Sequence, residues 1–557
     1  MLNYKRVTPR KVPDIKERKA YMVGGGIASL AAAVFLIRDA KMPGENIYII
    51  EKTPVNGGCL DGSGDPENGY LLRGGRMFEE HYEATWDLLS SIPSLDDPEK
   101  TILDEVVEFN KEYVGSSKCR LVGTPGKKVD FSKYELTFRH LNEMNELIMT
   151  PEEKLGGVTI EQWFSKDFFE TNFWYFWATM FAFQPWHSVA EMRRYMLRFM
   201  HLVPGLNRIE GVKRTPYNQY DSIILPIQKW LKERGVNFIM GTKVVDVEIT
   251  EKDGRKYITR LYTKGQNGDG AIEVGEKDLV FITLGSMVDN STYGDLDHPP
   301  VLNRGEGDSW RLWRKLVEKD PSLGNPDVFA GDIDKTKWES FTITFRGDKF
   351  LKMLEEFTGN RTGTGGLVTF KDSSWLMSIV AFRQPHFRNQ PEDVTVLWGY
   401  GLFVDREGDY IKKPMSQATG REIFLELLYH LGWLDKKDEL MESVINVRTA
   451  MMPYITAHFM PRKPGDRPPV IPENYANLAL MGQYVEIPGE CVFTVEYSVK
   501  SAMMGVYGLL DLGREVPPAH TPYQEVPVLL KAVETLVDDD KKELFKYTMK
   551  LYLAGKL

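Results

Sequence analysis

The chain has 557 residues, 42% of them apolar, with a net charge of −9 and an isoelectric point near 5.7. That size predicts two to four packed units with a sizeable core, and the acidic balance excludes the basic stripe of a nucleic-acid binder. Three cysteines without a CxxC pair, Cys59, Cys119 and Cys491, exclude a disulfide framework and a cysteine zinc site.

The N-terminal "MLNYKRVTPRKVPDIKERKA" is charged throughout and lacks the apolar core of a signal peptide. No stretch approaches the roughly 18 apolar residues of a membrane span. A cytoplasmic protein is expected, with peripheral contact at the inner face of the membrane left open.

"KAYMVGGGIASLAAAVFLIRDA" then runs from a short apolar strand through Gly24-x-Gly26-x-x-Ser29 into an alanine-rich helix. This is the context a dinucleotide fingerprint needs: one glycine for the turn, one for close approach of the pyrophosphate, and a small third residue for helix packing. Ile27 and Ala28 complete the helix start. The next strand, "NIYIIEK", ends at Glu51, where an acid accepts the ribose hydroxyls.

Further on come Gly58 and "LLRGGRMF", with Arg73, Gly74, Gly75 and Arg76. These segments resemble the FAD-binding half of the amine oxidase and phytoene desaturase group. The resemblance implies FAD, held also by the backbone near Val245 in "GVNFIMGTKVVDVEI", by Ser286 after the strand "DLVFITLGS", and by Thr494 and Val495 at the start of a closing helix.

The expected fold is therefore α/β: a discontinuous Rossmann-like domain from residues 1–93, 207–301 and 466–515. Residues 94–206 read as a helical, aromatic-rich pocket segment, and 302–465 as a mixed α+β substrate domain. "TGNRTGTGG" in the latter reads as a mobile loop. Residues 516–557 read as an amphipathic helical tail, with docking on the body favoured over membrane binding. Aromatics and Met at helical spacing in "FFETNFWYFWATMFAFQPWHSVAEMRRYMLRFMH" suit either core packing or an apolar ligand cavity.

Taken in order, "VGGGIASLAAA", "RGGRMFEEHYEATWDL", "RTPYNQYDSI", "LGSMVDNSTYGD", "RQPHFRNQPEDVTVLWGYGL" and "VFTVEYSVKSAM" resemble the oleate hydratases, once labelled myosin-cross-reactive antigens, over nearly the whole chain. The resemblance implies a hydro-lyase adding water to the cis-9 double bond of oleic acid, with FAD most effective when reduced and no net redox change. It further implies Tyr195 as the acid and Gln219 as the carboxylate contact, with Ser374 and Ser378 as weaker headgroup candidates.

Where most of the family has a water-activating glutamate after "GGR", this chain has Met77. Glu79 and Glu80 are the substitutes at hand, against their reading as a solvated acidic turn. Two rival functions stay open, a flavin-dependent double-bond isomerase or desaturase and a non-catalytic fatty acid carrier. Monomer and homodimer are equally open.

Overall fold

The computed structural model describes residues 6–75, 77–266 and 268–537. Five parallel strands form one sheet in the order Leu478–Met481, Leu279–Thr283, Ala20–Val23, Ile47–Glu51, Asn237–Met240. Ala20 pairs with both Ile47 and Leu279. The central strand "AYMV" is apolar at every position because both its faces are buried, as parallel sheets require.

The helix Ile27–Arg38 packs against the closing helix Val495–Leu509. Its run Ala31–Ala32–Ala33 is fully buried, and side chains that small let the two helices approach closely. The closing helix in turn lies directly on the last strand: a Cβ at Gly505 would stand 2.9 Å from that of Ala479. A three-stranded antiparallel sheet, Thr242–Lys252, Arg255–Gly265 and Gly268–Glu273, extends this domain. Its register slips between Val244 and Asp246, so Val245 is a bulge outside the ladder.

The second sheet has eight strands, in the order Thr292–Gly294, Val444–Met452, Trp338–Arg346, Val394–Gly401, Met377–Val380, Val368–Phe370, Leu121–Gly123, Lys127–Lys128. Two of these come from residues 94–206, the segment expected to be mainly helical. Thr369 pairs in parallel with Leu121, so the two inserted segments share one sheet. Strands of two or three residues carry no measurable period, which is why the sequence pattern did not reveal them.

On the long central strand, Thr342 Oγ1 accepts from the Leu72 backbone N–H (3.0 Å) and Thr344 Oγ1 from that of Tyr70 (2.9 Å). Trp398 Nε1 donates to the Leu72 carbonyl (3.2 Å). The large sheet is thus bonded to the chain immediately before Arg73–Gly75.

The aromatic segment forms helices Asn172–Phe181 and Val189–Arg198, capped by Thr171 and Ser188. In the tail, the helix Val526–Leu536 docks on Met200–Arg208, burying Ala532 and Leu536. Residues 538–557 lie outside the described residues. Among the described residues no helix is long and apolar enough to cross a membrane.

Candidate active site

The glycine turn is built as its spacing requires. Gly24 has φ +97°, a conformation closed to most side chains, and Gly26 caps the helix with open space where a side chain would stand. The first N–H groups of that helix, on Ile27, Ala28 and Ser29, have no intrahelical acceptor and favour an anion.

Glu51 braces the turn, accepting from the Gly25 N–H (2.7 Å) and from Thr53 N and Oγ1 (2.8 and 2.7 Å). Gly58 lies against it, its missing Cβ 3.3 Å from the Gly26 Cα. Beside them Asn56 is buried with neither amide atom partnered. Open space, free N–H groups and an orphaned buried amide suit a dinucleotide.

At the far end of the sheet, Thr494 caps the closing helix by accepting from Tyr497 N (3.1 Å). Phe493 before it has φ +71°, a strained position for a non-glycine residue and one that occurs preferentially at functional sites. Gln483 holds both, accepting from Phe493 N (2.5 Å) and donating to the Thr494 carbonyl (2.9 Å). Val495 is buried and Ser286 half-buried.

A narrow cleft of about 30 Å³, partly open to solvent, is lined by Asp61, Gly74, Gly75, Arg214, Gln219, Arg383 and His386 among others. Gln219 is 6% exposed, and neither its amide oxygen nor its amide nitrogen has a partner.

Arg214 is equally buried and, among the described residues, has no carboxylate paired with it: one nitrogen donates weakly to the Gly365 carbonyl (3.5 Å) and Nη1 to none of them. Burial alone pulls its pKa down to about 10. A Cβ at Gly365 would fall 2.0 Å from the guanidinium, so the glycine-rich stretch expected to be a mobile loop is the seat of this arginine. Burial, reinforced by Arg383, lowers His386 to about 3, leaving a neutral imidazole with Nδ1 unpartnered. A buried cation without a counter-charge is costly, and an anionic ligand would relieve it.

Arg73 points away, to Asp61 (2.8 Å) and the Gly58 carbonyl (2.7 Å); Arg76 lies outside the described residues. Met77 is half-buried against the core. Its neighbour Phe78 exchanges both backbone hydrogen bonds with Lys213 (2.9 and 2.7 Å), tying this loop to the segment that carries Arg214. Ser374 and Ser378 are not brought to the cleft. Ser374 is bonded to Asp409 through N and Oγ (both 2.8 Å), and Ser378 to Thr369 (2.9 Å) inside the core. The residues that do reach it, Arg383 and His386, follow one strand later in "FRQPHF".

Glu79 is no solvated turn residue. It is buried, paired with Arg198 Nη1 (2.8 Å), and its Oε2 meets His81 Nδ1 (3.1 Å) and His201 Nε2 (3.3 Å). Burial opposes ionisation, but the two histidines and Arg198 outweigh it and hold the carboxyl well below its ordinary range. Glu80 is exposed, and its carbonyl accepts from Trp86 Nε1 (3.1 Å).

Tyr195 is buried among Phe181, Phe183, Phe199 and Phe459, and its hydroxyl donates to the Val492 carbonyl (2.6 Å). Burial raises its pKa well above 10, so the phenol holds its proton. Arg194 is committed to Glu152 (2.7 Å) and Glu486 (2.6 Å). Arg198 is committed to Glu79 and Glu490 (3.1 Å). These two arginines, one on each side of Tyr195 in the helix, clamp it to the chain that leads into Thr494.

Fold and cleft together define an α/β protein whose cleft is lined by buried basic and amide side chains. The chain belongs to the MCRA family, whose profile matches residues 17–507. It is 42% identical to the oleate hydratase of Streptococcus pyogenes serotype M49 (strain NZ131), over 96% of this chain and 92% of that one. It is 33% identical to the linoleate hydratase of Lactiplantibacillus plantarum, over 93% and 98%. Among solved structures, an oxidoreductase from Methanosarcina mazei superposes with a TM-score of 0.47 at 13% identity, over 88% of this chain and all of that one, a likeness too loose to bear on function.

Proposed function

We propose that the protein is an FAD-dependent fatty acid hydratase that adds water to the cis-9 double bond of oleic acid, giving 10-hydroxystearic acid. The observation that carries this reading is the pairing of an unpartnered amide, Gln219, with an uncompensated guanidinium, Arg214, in a cleft edged by Gly74 and Gly75. A fatty acid carboxylate matches both donors, and Leu72, Phe109 and Phe382 on the same cleft offer apolar surface to an alkyl chain. The two hydratase relatives support the same chemistry.

FAD would lie with its pyrophosphate at Gly24, Gly26 and the N–H groups of Ile27, Ala28 and Ser29. Its ribose would meet Glu51, its adenine the bulged backbone at Val245, and its ring system the segments Gly58, Arg73–Gly75, Ser286 and Thr494–Val495. Bound and reduced, FAD would supply negative charge and order at the site.

Tyr195 delivers the proton. With the hydroxyl entering at C10, that proton goes to C9, and water adds to the cation at C10. The burial that keeps the phenol protonated makes its phenolate a strong base. The proton released by the added water restores it, which offsets the absence of a carboxylate at Met77. Glu79, ion-paired, serves this reading as the anchor of Arg198, and Glu80, exposed three residues after Met77, is assigned to orienting water.

Anaerobically reduced, FAD-loaded protein incubated with oleic acid in ¹⁸O-water should yield labelled 10-hydroxystearate by mass spectrometry. Unlabelled positional isomers of oleate would replace this reading by an isomerase, the alternative that Met77 favours.

A further inference from the structure

We propose that His81, His201 and His520 form a binding site for a borderline divalent cation such as Zn²⁺, which clips the C-terminal tail to the body of the protein. One ring nitrogen from each of the three lies within 4.8 Å of the others. The rings come from three distant stretches of chain: the turn before the helix Glu83–Leu89, the helical segment Met200–Arg208, and the segment leading into the tail helix. His81 and His520 stack with centroids 3.6 Å apart, and His201 stands edge-on to both at 5.0 Å.

The arrangement around the rings is that of ligands held in place by an outer carboxylate. Glu79 Oε2 bonds His81 Nδ1 (3.1 Å) and His201 Nε2 (3.3 Å), which directs the opposite nitrogen of each ring away from Glu79. A carboxylate on the far nitrogen is the usual means by which a metal-binding imidazole is oriented and made more basic.

Two other nitrogens, His201 Nδ1 and His520 Nδ1, are shielded from solvent and have no hydrogen-bond partner. Shielded polar atoms without partners are rare in folded proteins, and an ion is one of the few groups that satisfies them.

Three imidazoles suit Zn²⁺, Co²⁺ or Ni²⁺ rather than Mg²⁺ or Ca²⁺. Zinc sits roughly 2.0–2.1 Å from an imidazole nitrogen, so binding turns the stacked His81 and His520 rings until one lone pair of each faces the ion. Water completes the shell, since each ring is partly exposed, at 28%, 17% and 20% for the three side chains in chain order. The site shares no residue with the anion-receiving cleft, and its occupancy does not depend on the hydratase reading.

The test uses the untagged full chain, freed of metal by chelation, titrated with Zn²⁺ by calorimetry and with Co²⁺ by visible absorption. One equivalent is expected, with the bands of nitrogen-ligated cobalt and no thiolate charge-transfer band. The chain carries nine histidines, so stoichiometry alone does not locate the ion. His201→Gln and His520→Gln should each weaken binding by at least roughly 10- to 100-fold, the loss that even an outer-shell contact produces. Each variant should unfold, in chelator, at the temperature of the parent, and Zn²⁺ should stabilise the parent alone. Absence of saturable binding at micromolar Zn²⁺ overturns the proposal, as does equal affinity in parent and both variants.

Discussion

Tyr195, Arg214 and Glu339 are three buried ionisable groups with different fates. Replacing Tyr195 by Phe removes the acid while leaving its aromatic cage, and should lower the rate of hydration by about 100- to 10,000-fold with oleate binding unchanged by calorimetry. Arg214→Gln and Gln219→Ala should instead raise KM for oleate, by roughly 10- to 100-fold for the arginine if its bond to a charged group is worth about 1.5–3 kcal/mol. Neither should affect an oleate ester as strongly.

Glu339 is fully buried in the large sheet with no partner for either oxygen, and burial pushes its pKa well above 4.5. A carboxyl raised in the folded state contributes stability below the unfolded pKa and loses it as pH rises through the folded one. Glu339→Gln should therefore gain in melting temperature relative to the parent as pH rises above 4.5. The glycine turn was legible in the sequence because motif spacing carries it, whereas Gln219 was singled out by the family resemblance alone. Arg214 was not legible, since no local pattern reveals that an arginine will be buried without an acid.

The aromatic helix Val189–Arg198 is held by charges rather than by its apolar face alone. Glu191 accepts from Arg462 Nε (2.7 Å) and Arg467 Nη1 (2.9 Å) in the fully buried interior. Burial raises its pKa, but Arg467, Arg462 and Arg194 outweigh that and hold it at about 2. Because the folded value lies below 4.5, this stability is present above about pH 4.5 and is lost as pH falls toward 2. Glu191→Gln should destabilise the protein by about 3–5 kcal/mol, the cost of stranding a buried partner, and flatten the acid limb of its denaturation profile.

The tail helix Val526–Leu536 rests on Met200–Arg208, directly after the aromatic helix. A chain ending at Gly513 should unfold at a lower temperature, and it should lose co-sedimentation with anionic liposomes if the tail is what meets a membrane. The existence of these helices was readable from their periodicity. Their anchoring was not, because Glu191 and Arg467 are 276 residues apart.

For the molecule as a whole, the three strands read in the sequence, "KAYMV", "NIYIIEK" and "DLVFITLGS", are adjacent in the five-stranded parallel sheet. What local patterns could not convey is that residues 121–128 and 292–452 share a second sheet, since strand partners so far apart are chosen by packing. A bound dinucleotide would touch every visit the chain makes to the first sheet. FAD at 100 times its Kd should therefore add about 2.7 kcal/mol to the stability of the whole fold, visible as one cooperative upward shift of the melting curve.

The same connectivity governs how the protein can be made. The strand Leu279–Thr283 pairs on one side with Ala20–Val23 and on the other only with Leu478–Met481. On the ribosome, 195 residues (478 minus 283) separate its appearance from that of its last partner. At about 5–20 residues per second this leaves an unsatisfied, apolar sheet edge for roughly 10–40 s. Such an edge invites pairing with other chains, so the nascent polypeptide should depend on chaperone cover through that interval, and yield in a chaperone-depleted translation system should fall most when residues 284–477 are translated slowly.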